Sequence, residues 1–122
     1  EEVRKMKISE IQIFDKSTNV NSFDLLGKSM WLDKSTRVGL FNSISIEKEA
    51  GKTDTVLWYD AIKYIIPISD ALSMLNEIEM YALNCYNVTQ SHIAAVRSLQ
   101  TIEEIENYDY TVGYPVKLSF PG

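Results

Sequence analysis

The sequence has few of the residues that build metal and thiol chemistry. Its 122 residues include one cysteine, Cys85, and one histidine, His92. A single cysteine excludes a disulfide within the chain and any cysteine-rich metal site, and one histidine leaves few nitrogen ligands. We therefore expect neither a bound metal nor another cofactor.

Basic residues and long apolar runs are also scarce. Twelve lysines and arginines face seventeen aspartates and glutamates, which gives a formal charge of −5. This sign is opposite to that of a nucleic-acid-binding surface. The longest apolar runs, such as residues 64–68, have the length of a strand and fall far short of the roughly 18 residues of a membrane span. We expect no nucleic-acid partner and no membrane partner.

The overall composition is typical of a folded protein. Hydrophobic residues make up 45% of the chain and charged residues 24%. A chain of this length buries enough surface to fold without disulfides but has little room for two cores. The composition predicts a single domain over residues 1–122.

Short alternating runs between about residues 8 and 68 predict an antiparallel meander of four to five strands. Residues 8–26 contain two short apolar runs around a polar turn, which is typical of a hairpin. In 29–42 helix and strand compete, and the pattern favours a strand, a turn and a brief helical or irregular piece. Residues 43–48 and 55–59 predict a second hairpin, followed by a strand over 62–68 with Pro67 near its end.

The period then changes from two to 3.6, which predicts a long amphipathic helix from Ser69 to about Gln100. Such a helix measures roughly 48 Å at 1.5 Å per residue. A compact domain of this size has a diameter of only about 35 Å. We therefore expect the helix either to bend or stop near residues 84–89, or to pack its end on another chain. The candidate interface residues on its apolar face are Leu75, Ile78, Ala82, Tyr86, Ile93 and Val96.

A capping box follows the long helix. Thr101 can accept a hydrogen bond from the third amide of a new helix, and Glu104 can reach back to the amide of Thr101. This predicts a short helix up to about Tyr108 and then an ordered extended tail over 109–122. The predicted fold class is α+β, with a β part over about 8–68 and a helical part over about 69–108.

The patterns that could carry chemistry are incomplete. Gly27 and Gly51 each begin a Gly-Lys-Ser/Thr triplet, but the phosphate-binding loop also needs an earlier glycine, and Ser22 and Ile46 occupy those positions. Cys85 and His92 lie seven residues apart, about 10 Å along a continuous helix, which excludes a direct hydrogen bond. We predict no catalytic residue, and a small enzyme built around His92 would need a carboxylate or Cys85 beside the ring.

Aromatic residues are plentiful, with seven tyrosines, four phenylalanines and two tryptophans. Their rings combine a large apolar face with a polar group, which suits core packing as well as a sugar-stacking or protein-binding surface. The candidate ligand or partner contacts are Trp31, Trp58, Tyr59, Tyr110 and Tyr114.

Several stretches together resemble a family of small proteins encoded by tailed bacteriophages and prophages of gut bacteria. The stretches are MWLDKSTRVGL at 30–40, LWY at 57–59, EMYALNCYNVT at 79–89 with His92, and YDYTVGYP at 108–115. The resemblance extends over nearly all of the chain from about Ile11 onward. It supplies no catalytic residue.

The resemblance implies a bacteriophage structural protein or assembly component, associated with a fibre, tail or capsid. Together with the long apolar helix face, it leads us to expect a non-enzymatic protein that forms homo-oligomers and docks other virion proteins. Its location would be the virion, or the host cytoplasm during assembly. The alternative is a carbohydrate- or surface-binding module that uses exposed aromatic rings.

Overall fold

The computed structural model describes residues 1–120, which form a mixed α+β fold. The elements in chain order are α1 (Glu2–Lys16), β1 (Phe23–Leu25), β2 (Lys28–Met30), α2 (Lys34–Glu49), β3 (Asp54–Tyr59), β4 (Ile62–Pro67), α3 (Ile68–Ser98), α4 (Ile102–Glu106) and β5 (Ser119–Phe120). The α+β class is confirmed. The meander is not, because these short strands form two small sheets, with orders β2-β1-β5 and β3-β4.

The described chain divides into two compact units. Unit 1 contains residues 1–22 and 81–118, and unit 2 contains residues 23–80 with Ser119 and Phe120. The first half of α3 belongs to unit 2 and the second half to unit 1. That residues 1–122 form a single domain stays a prediction, because two compact units can be parts of one domain or two separate domains.

The predicted hairpin over 8–26 is wrong, because its first half lies in the helix α1. Ile11 is completely buried, whereas Ile13 is 68% exposed, although the two would share a face in a strand. Val3 and Ile8 pack with Ile11 against a cluster formed by α3 and α4. The second half does supply a strand, β1, but its hairpin partner β2 lies beyond residue 26, across a turn in which Leu26 and Gly27 both have positive φ.

The strand over 43–48 is also wrong, because these residues belong to the helix α2. Asp33 caps this helix by accepting a hydrogen bond from the Thr36 amide at 2.8 Å. Ile44 is buried and Ile46 is 59% exposed. Their alternation with polar residues resembled a strand, but the side chains point to different sides of a helix.

The predicted strands over 55–59 and 62–68 are present as the hairpin β3–β4. The register pairs Thr55 with Ile66 and Leu57 with Tyr64. The connection is a two-residue turn, Asp60 and Ala61, with φ of 53° and 61°. Such left-handed turns match the twist of paired strands, although glycine or asparagine usually occupies them.

The two predicted helices are confirmed. α3 has 31 residues and continues through residues 84–89, where the sequence suggested a bend or an end. The capping box of α4 is present, with Thr101 accepting from the Glu104 amide and Glu104 accepting from the Thr101 amide, each at 3.1 Å. The tail reaches the parallel strand β5 beside β1. The predicted extension to residues 121–122 lies outside the described residues.

Candidate functional site

An open groove between α2 and the first half of α3 is a candidate binding site in unit 2. Its volume is about 460 Å³, which lies within the usual range for ligand pockets. Its wall combines the polar side chains Arg37, Asn42, Ser45, Asn76 and Glu79 with the apolar side chains Val38, Phe41 and Leu75. We call it the α2–α3 groove.

Arg37 is the best-fixed polar side chain of this groove. The cap at Asp33 begins α2 and places Arg37 one turn inside the helix. Its Nε donates to Glu79 Oε1 at 2.6 Å, and its Nη1 donates to the Leu32 carbonyl oxygen at 2.6 Å. The guanidinium lies 5.2 Å from the centroid of the Trp31 ring, a distance at which cation–π attraction contributes. With the residue only 5% exposed, these contacts hold it in one position.

The charges around Arg37 balance one another. The hydrogen bond from Arg37 lowers the pKa of the Glu79 carboxyl, and the charges of Arg37 and Lys34 act in the same direction, although partial burial opposes them. Lys34 Nζ lies 3.7 Å from Glu79 Oε2. Lys34 and Arg37 are balanced by Glu79 and by Asp33, whose carboxyl is within electrostatic reach of Arg37, so this cluster has no net charge.

The guanidinium of Arg37 has one donor group to spare. Its Nη2 has no hydrogen-bond acceptor among residues 1–120. Ser22 Oγ is the one fully buried side-chain polar atom without a partner in the same residues.

A second exposed feature of unit 2 is one side of the β3–β4 hairpin. Val56 pairs with Ile65, and Trp58 pairs with Lys63, so these four side chains lie on one side of the two strands. Val56, Trp58 and Ile65 are 43%, 62% and 65% exposed. We call these four residues the outer face. Apolar side chains grouped at a surface in this way are typical of interaction sites.

His92 belongs to a polar and aromatic cluster in unit 1. Its Nδ1 lies 2.6 Å from the Tyr108 hydroxyl, and its Nε2 lies 2.8 Å from the Val112 carbonyl oxygen. The carbonyl can only accept, so Nε2 carries the proton and Nδ1 accepts from Tyr108. The Tyr114 ring packs at 5.7 Å from the His92 ring. Both ring nitrogens are thus engaged by the segment that follows α4.

Further hydrogen bonds extend this cluster. The Thr89 hydroxyl donates to Asp15 Oδ1 at 2.8 Å and accepts from the Tyr114 hydroxyl at 2.6 Å. Burial is the main cause that raises the pKa values of the Tyr108 and Tyr114 hydroxyls. Both hydroxyls therefore stay protonated at neutral pH and act as hydrogen-bond donors.

Cys85 is buried in the same unit. Burial raises the pKa of its thiol, so the reactive thiolate is disfavoured. Burial likewise raises the pKa of Tyr81, whose hydroxyl donates to the Val20 carbonyl oxygen at 2.9 Å. The groups found at the His92 ring are Tyr108, Val112 and Tyr114, and the Asp109 carboxylate lies within electrostatic reach of it.

The candidate interface residues of α3 lie mostly inside the chain. Leu75, Ile78, Ile93 and Val96 are at most 6% exposed. Ala82 is half-buried, and Tyr86 is 57% exposed. A second chain cannot reach the four buried side chains in this fold, so an interface on this helix would depend on Tyr86 and its exposed neighbours.

The candidate aromatic contacts separate into different environments. Trp58 is exposed on the outer face, and Tyr59 is half-buried at the end of β3. Trp31 contacts Phe23 and Arg37 in unit 2. In unit 1 both Tyr110 and Tyr114 pack on Phe14 with ring centroids 5.6 Å away. Trp31, Trp58 and Tyr59 therefore belong to unit 2, and Tyr110 and Tyr114 to unit 1.

Arg37 and the groove were missed from the sequence. The segment 33–37 looked like a polar turn between two apolar runs. An aspartate followed by an amphipathic stretch is also a helix-start signal, and recognising it at Asp33 would have placed Arg37 and Phe41 on one side of a helix. Nothing in the local sequence indicates that Glu79, 42 positions later, pairs with Arg37.

No helix within residues 1–120 combines the length and apolarity needed to cross a membrane. The same residues contain no cluster of three or more histidine, cysteine or carboxylate side chains placed to bind a metal ion. Comparisons with protein-family models, curated proteins and solved structures found no match.

Proposed function

We propose that this protein is a non-enzymatic structural or assembly protein of a tailed bacteriophage, which self-associates and docks a fibre, tail or capsid protein. The observation that carries the proposal is the outer face, because it presents three large apolar side chains to solvent. The resemblance of the stretches at 30–40, 79–89 and 108–115 to phage proteins gives the setting, either the virion or the host cytoplasm during assembly.

Self-association through the outer face has a simple physical basis. A twofold axis brings the same patch of two copies together, so that each copy covers the other's apolar side chains. Two hairpins packed face to face would remove Val56, Trp58 and Ile65 from water, and burial of apolar surface is the main driving force of association. Lys63 would remain at the edge of the contact with its charge in water.

The hydrogen bonding of His92 supports a non-enzymatic role. General acid–base catalysis by a histidine needs a ring nitrogen within reach of the substrate. Here Tyr108 and Val112 occupy both nitrogens, which suits a side chain that holds the segment after α4 in place.

Light scattering behind a sizing column, over a range of protein concentrations, tests the proposal. We expect an oligomer whose mass decreases on dilution, and a monomer for Ile65→Lys, because that variant places a charge in the apolar contact. Val116→Lys is the matched control, since Val116 is 90% exposed and lies in unit 1. A wild-type monomer at every concentration, or equal behaviour of the two variants, would contradict self-association through the outer face.

A carbohydrate- or surface-binding module is the second candidate, and the exposed ring of Trp58 favours it. A flat aromatic ring at the surface can stack against the apolar face of a sugar. We expect glycan binding to change the fluorescence of Trp58. In Trp58→Phe the only tryptophan left is Trp31, so the glycan should no longer produce this change. A glycan array without binding at high protein concentration would remove this candidate.

A further inference from the structure

We propose that the unpaired edge of β4 binds an extended segment of a partner protein as an added strand, and that this segment alternates basic with apolar side chains. The inference rests on the proposed docking function and specifies the chemistry of the docked segment. It depends on a groove beside β4, on unpaired backbone groups along this edge, and on two unpaired carboxylates, all in unit 2.

The groove lies between β4, the end of β1 and the first half of α3. Its volume is about 360 Å³, and Ile65, Ile66 and Pro67 all line it. Successive side chains of a strand point to opposite faces, so a groove that three successive residues share runs along the edge of their strand. The other edge of β4 is paired with β3. The groove therefore follows the unpaired edge, and we call it the β4-edge groove.

The backbone groups of this edge are available to another strand. The residues that flank a two-residue turn form a hydrogen-bonded pair, and such pairs alternate with non-hydrogen-bonded ones along the hairpin. The bond from the Ile68 amide to the Thr53 carbonyl oxygen, at 2.9 Å, fits this alternation. Lys63 and Ile65 fall at the non-hydrogen-bonded positions, so their N–H and C=O groups point away from β3. These groups have no backbone partner in the part of the chain that the structure describes, and an added strand would pair them.

The groove favours a basic segment over an acidic one. Its two charged lining residues are Asp70 and Glu77, and no ion pair within residues 1–120 includes either. Close in sequence to the groove, Lys28 is paired with Asp60 at 3.2 Å, and Lys63 belongs to the outer face. These five residues together have a net negative charge, so an incoming lysine or arginine is attracted and an acidic segment is repelled.

The groove also explains the expected alternation. Asp70, Ser73 and Glu77 line it at helical spacing, so they form one face of α3. Two apolar lining residues, Leu26 and Ile65, are 50% and 65% exposed. An extended segment directs alternate side chains to opposite sides. Basic side chains at every second position can therefore meet the carboxylates of α3, while the apolar ones between them cover exposed apolar surface.

An NMR experiment on the ¹⁵N-labelled full chain with the acetylated, amidated hexapeptide Val-Lys-Val-Lys-Val-Lys tests the inference. We expect the amide protons of Lys63 and Ile65 to exchange with water about tenfold more slowly at a peptide concentration of ten times Kd, because only the free fraction then exchanges. The amides of Val56 and Trp58 point away from β4 on the other edge of the hairpin. Their exchange rates should not change, which makes them an internal control.

Two further peptides separate strand addition from simple charge attraction. A hexapeptide of three valines followed by three lysines keeps composition and charge but loses the alternation. A hexapeptide with glutamate in place of each lysine keeps the alternation but reverses the charge. We expect each to bind about tenfold more weakly than the alternating basic peptide, because each loses the contacts with the two carboxylates.

Two variants with the same substitution locate the binding. Ser73→Lys places a cation within one helical turn of both Asp70 and Glu77, and should weaken the alternating basic peptide about tenfold. Ser91→Lys is the matched control, because it makes the same change at an exposed position of α3 that belongs to unit 1. It should leave binding nearly unchanged. Ser73 is also exposed, so both variants should keep the fold, which the same spectra check.

Trp58→Ser separates this inference from self-association. Ile65 belongs to both the outer face and the β4-edge groove, whereas Trp58 belongs to the outer face and does not line the groove. We expect Trp58→Ser to be a monomer that binds the peptide as the wild type does. A wild-type monomer would contradict self-association alone, and an intact oligomer without peptide binding would contradict strand addition alone.

Four results would overturn the inference. One is unchanged exchange at Lys63 and Ile65 with the peptide at millimolar concentration. Another is equal binding of the block or glutamate peptide. Slower exchange at Val56 and Trp58 instead would place the added strand on β3. Slower exchange at Lys63 and Ile65 that follows protein concentration without peptide would mean that a second copy fills the groove.

Discussion

Unit 1 and unit 2 differ in how their main polar clusters are arranged. In unit 1 His92, Thr89, Tyr108 and Tyr114 are hydrogen-bonded to one another, to Asp15 or to the backbone. In unit 2 the cluster around Arg37 lines an open groove, and the outer face groups three large apolar side chains on one side of a hairpin. Unit 1 also exposes apolar side chains, such as Ile13 and Val116. We therefore expect substitutions in the cluster of unit 1 to change stability and substitutions on the outer face of unit 2 to change association.

The largest expected effect is at the core of unit 1. Ile11→Ala should lower the free energy of unfolding by about 2–5 kcal/mol, because it removes a completely buried side chain and leaves a cavity. Ile13→Ala, the control on the same helix, should change it by less than about 0.5 kcal/mol, because Ile13 is exposed. Urea unfolding measures both. Similar losses in the two variants would indicate a strand and contradict α1.

A smaller effect is expected from the histidine cluster. Tyr108→Phe removes the hydroxyl that donates to His92 Nδ1 and should destabilise the chain by about 1 kcal/mol. The oligomer mass should not change, because the cluster is internal to unit 1. Thermal unfolding and light scattering on the same sample provide the two readings. A change in mass without a change in stability would reverse the assignment of roles to the two units.

The ion pair of unit 2 should make stability depend on pH. The pKa of the Glu79 carboxyl is lowered from 4.5, chiefly by Arg37. A carboxyl with a lowered pKa in the folded state stabilises the fold above its unfolded value, and this contribution disappears as the pH falls below about 4.5. Between pH 5 and pH 3 the melting temperature of Glu79→Gln should therefore fall less than that of the wild type, because the variant lacks this one pH-dependent contribution.

The matched control for that experiment is Glu77→Gln, which removes an exposed carboxylate two residues earlier on α3. It should leave the acid-side slope of the wild type nearly intact. If Glu79→Gln and Glu77→Gln gave the same slope, the contact between Arg37 and Glu79 would not be the source of the pH dependence.

The smallest expected effect is a gain in stability at the β3–β4 turn. Ala61 has a φ of 61°, which an alanine side chain disfavours and glycine adopts freely. Ala61→Gly should raise the free energy of unfolding by about 0.5–1 kcal/mol, after the entropy that glycine adds to the unfolded chain. Ala50→Gly is the control, since Ala50 has a φ of −77°, and it should not stabilise. A loss at Ala61→Gly would contradict the turn.

Helical periodicity was easier to interpret over a long stretch than over a short one. The apolar spacing from Ile68 to Val96 continues for about eight turns, so α3 was predictable to within two residues at each end. In α1 and α2, short pairs such as Ile11 with Ile13 and Ile44 with Ile46 fit a strand locally. Only the exposure of the second member of each pair excludes that interpretation.

The candidate site was less predictable than the fold. Trp58 could be chosen because it is a large aromatic residue in a strand, and its exposure fits the role given to it. Arg37 could not, because its importance comes from Glu79, Leu32 and Trp31 around it. The helix-face residues Ile78 and Val96 were chosen as an interface, yet their apolar character equally suits the buried positions that they occupy.

The sequence by itself determined α3, the capping box of α4, the strands of β3–β4 and the acidic charge. These features depend on periodicity, capping and turn chemistry within a few neighbouring residues. Only the tertiary structure decided that 2–16 and 34–49 are helices, that α3 buries its apolar side within the chain, and that Arg37 meets Glu79. The physical reason is that burial and ion pairing depend on contacts between residues far apart in sequence, which local patterns do not encode.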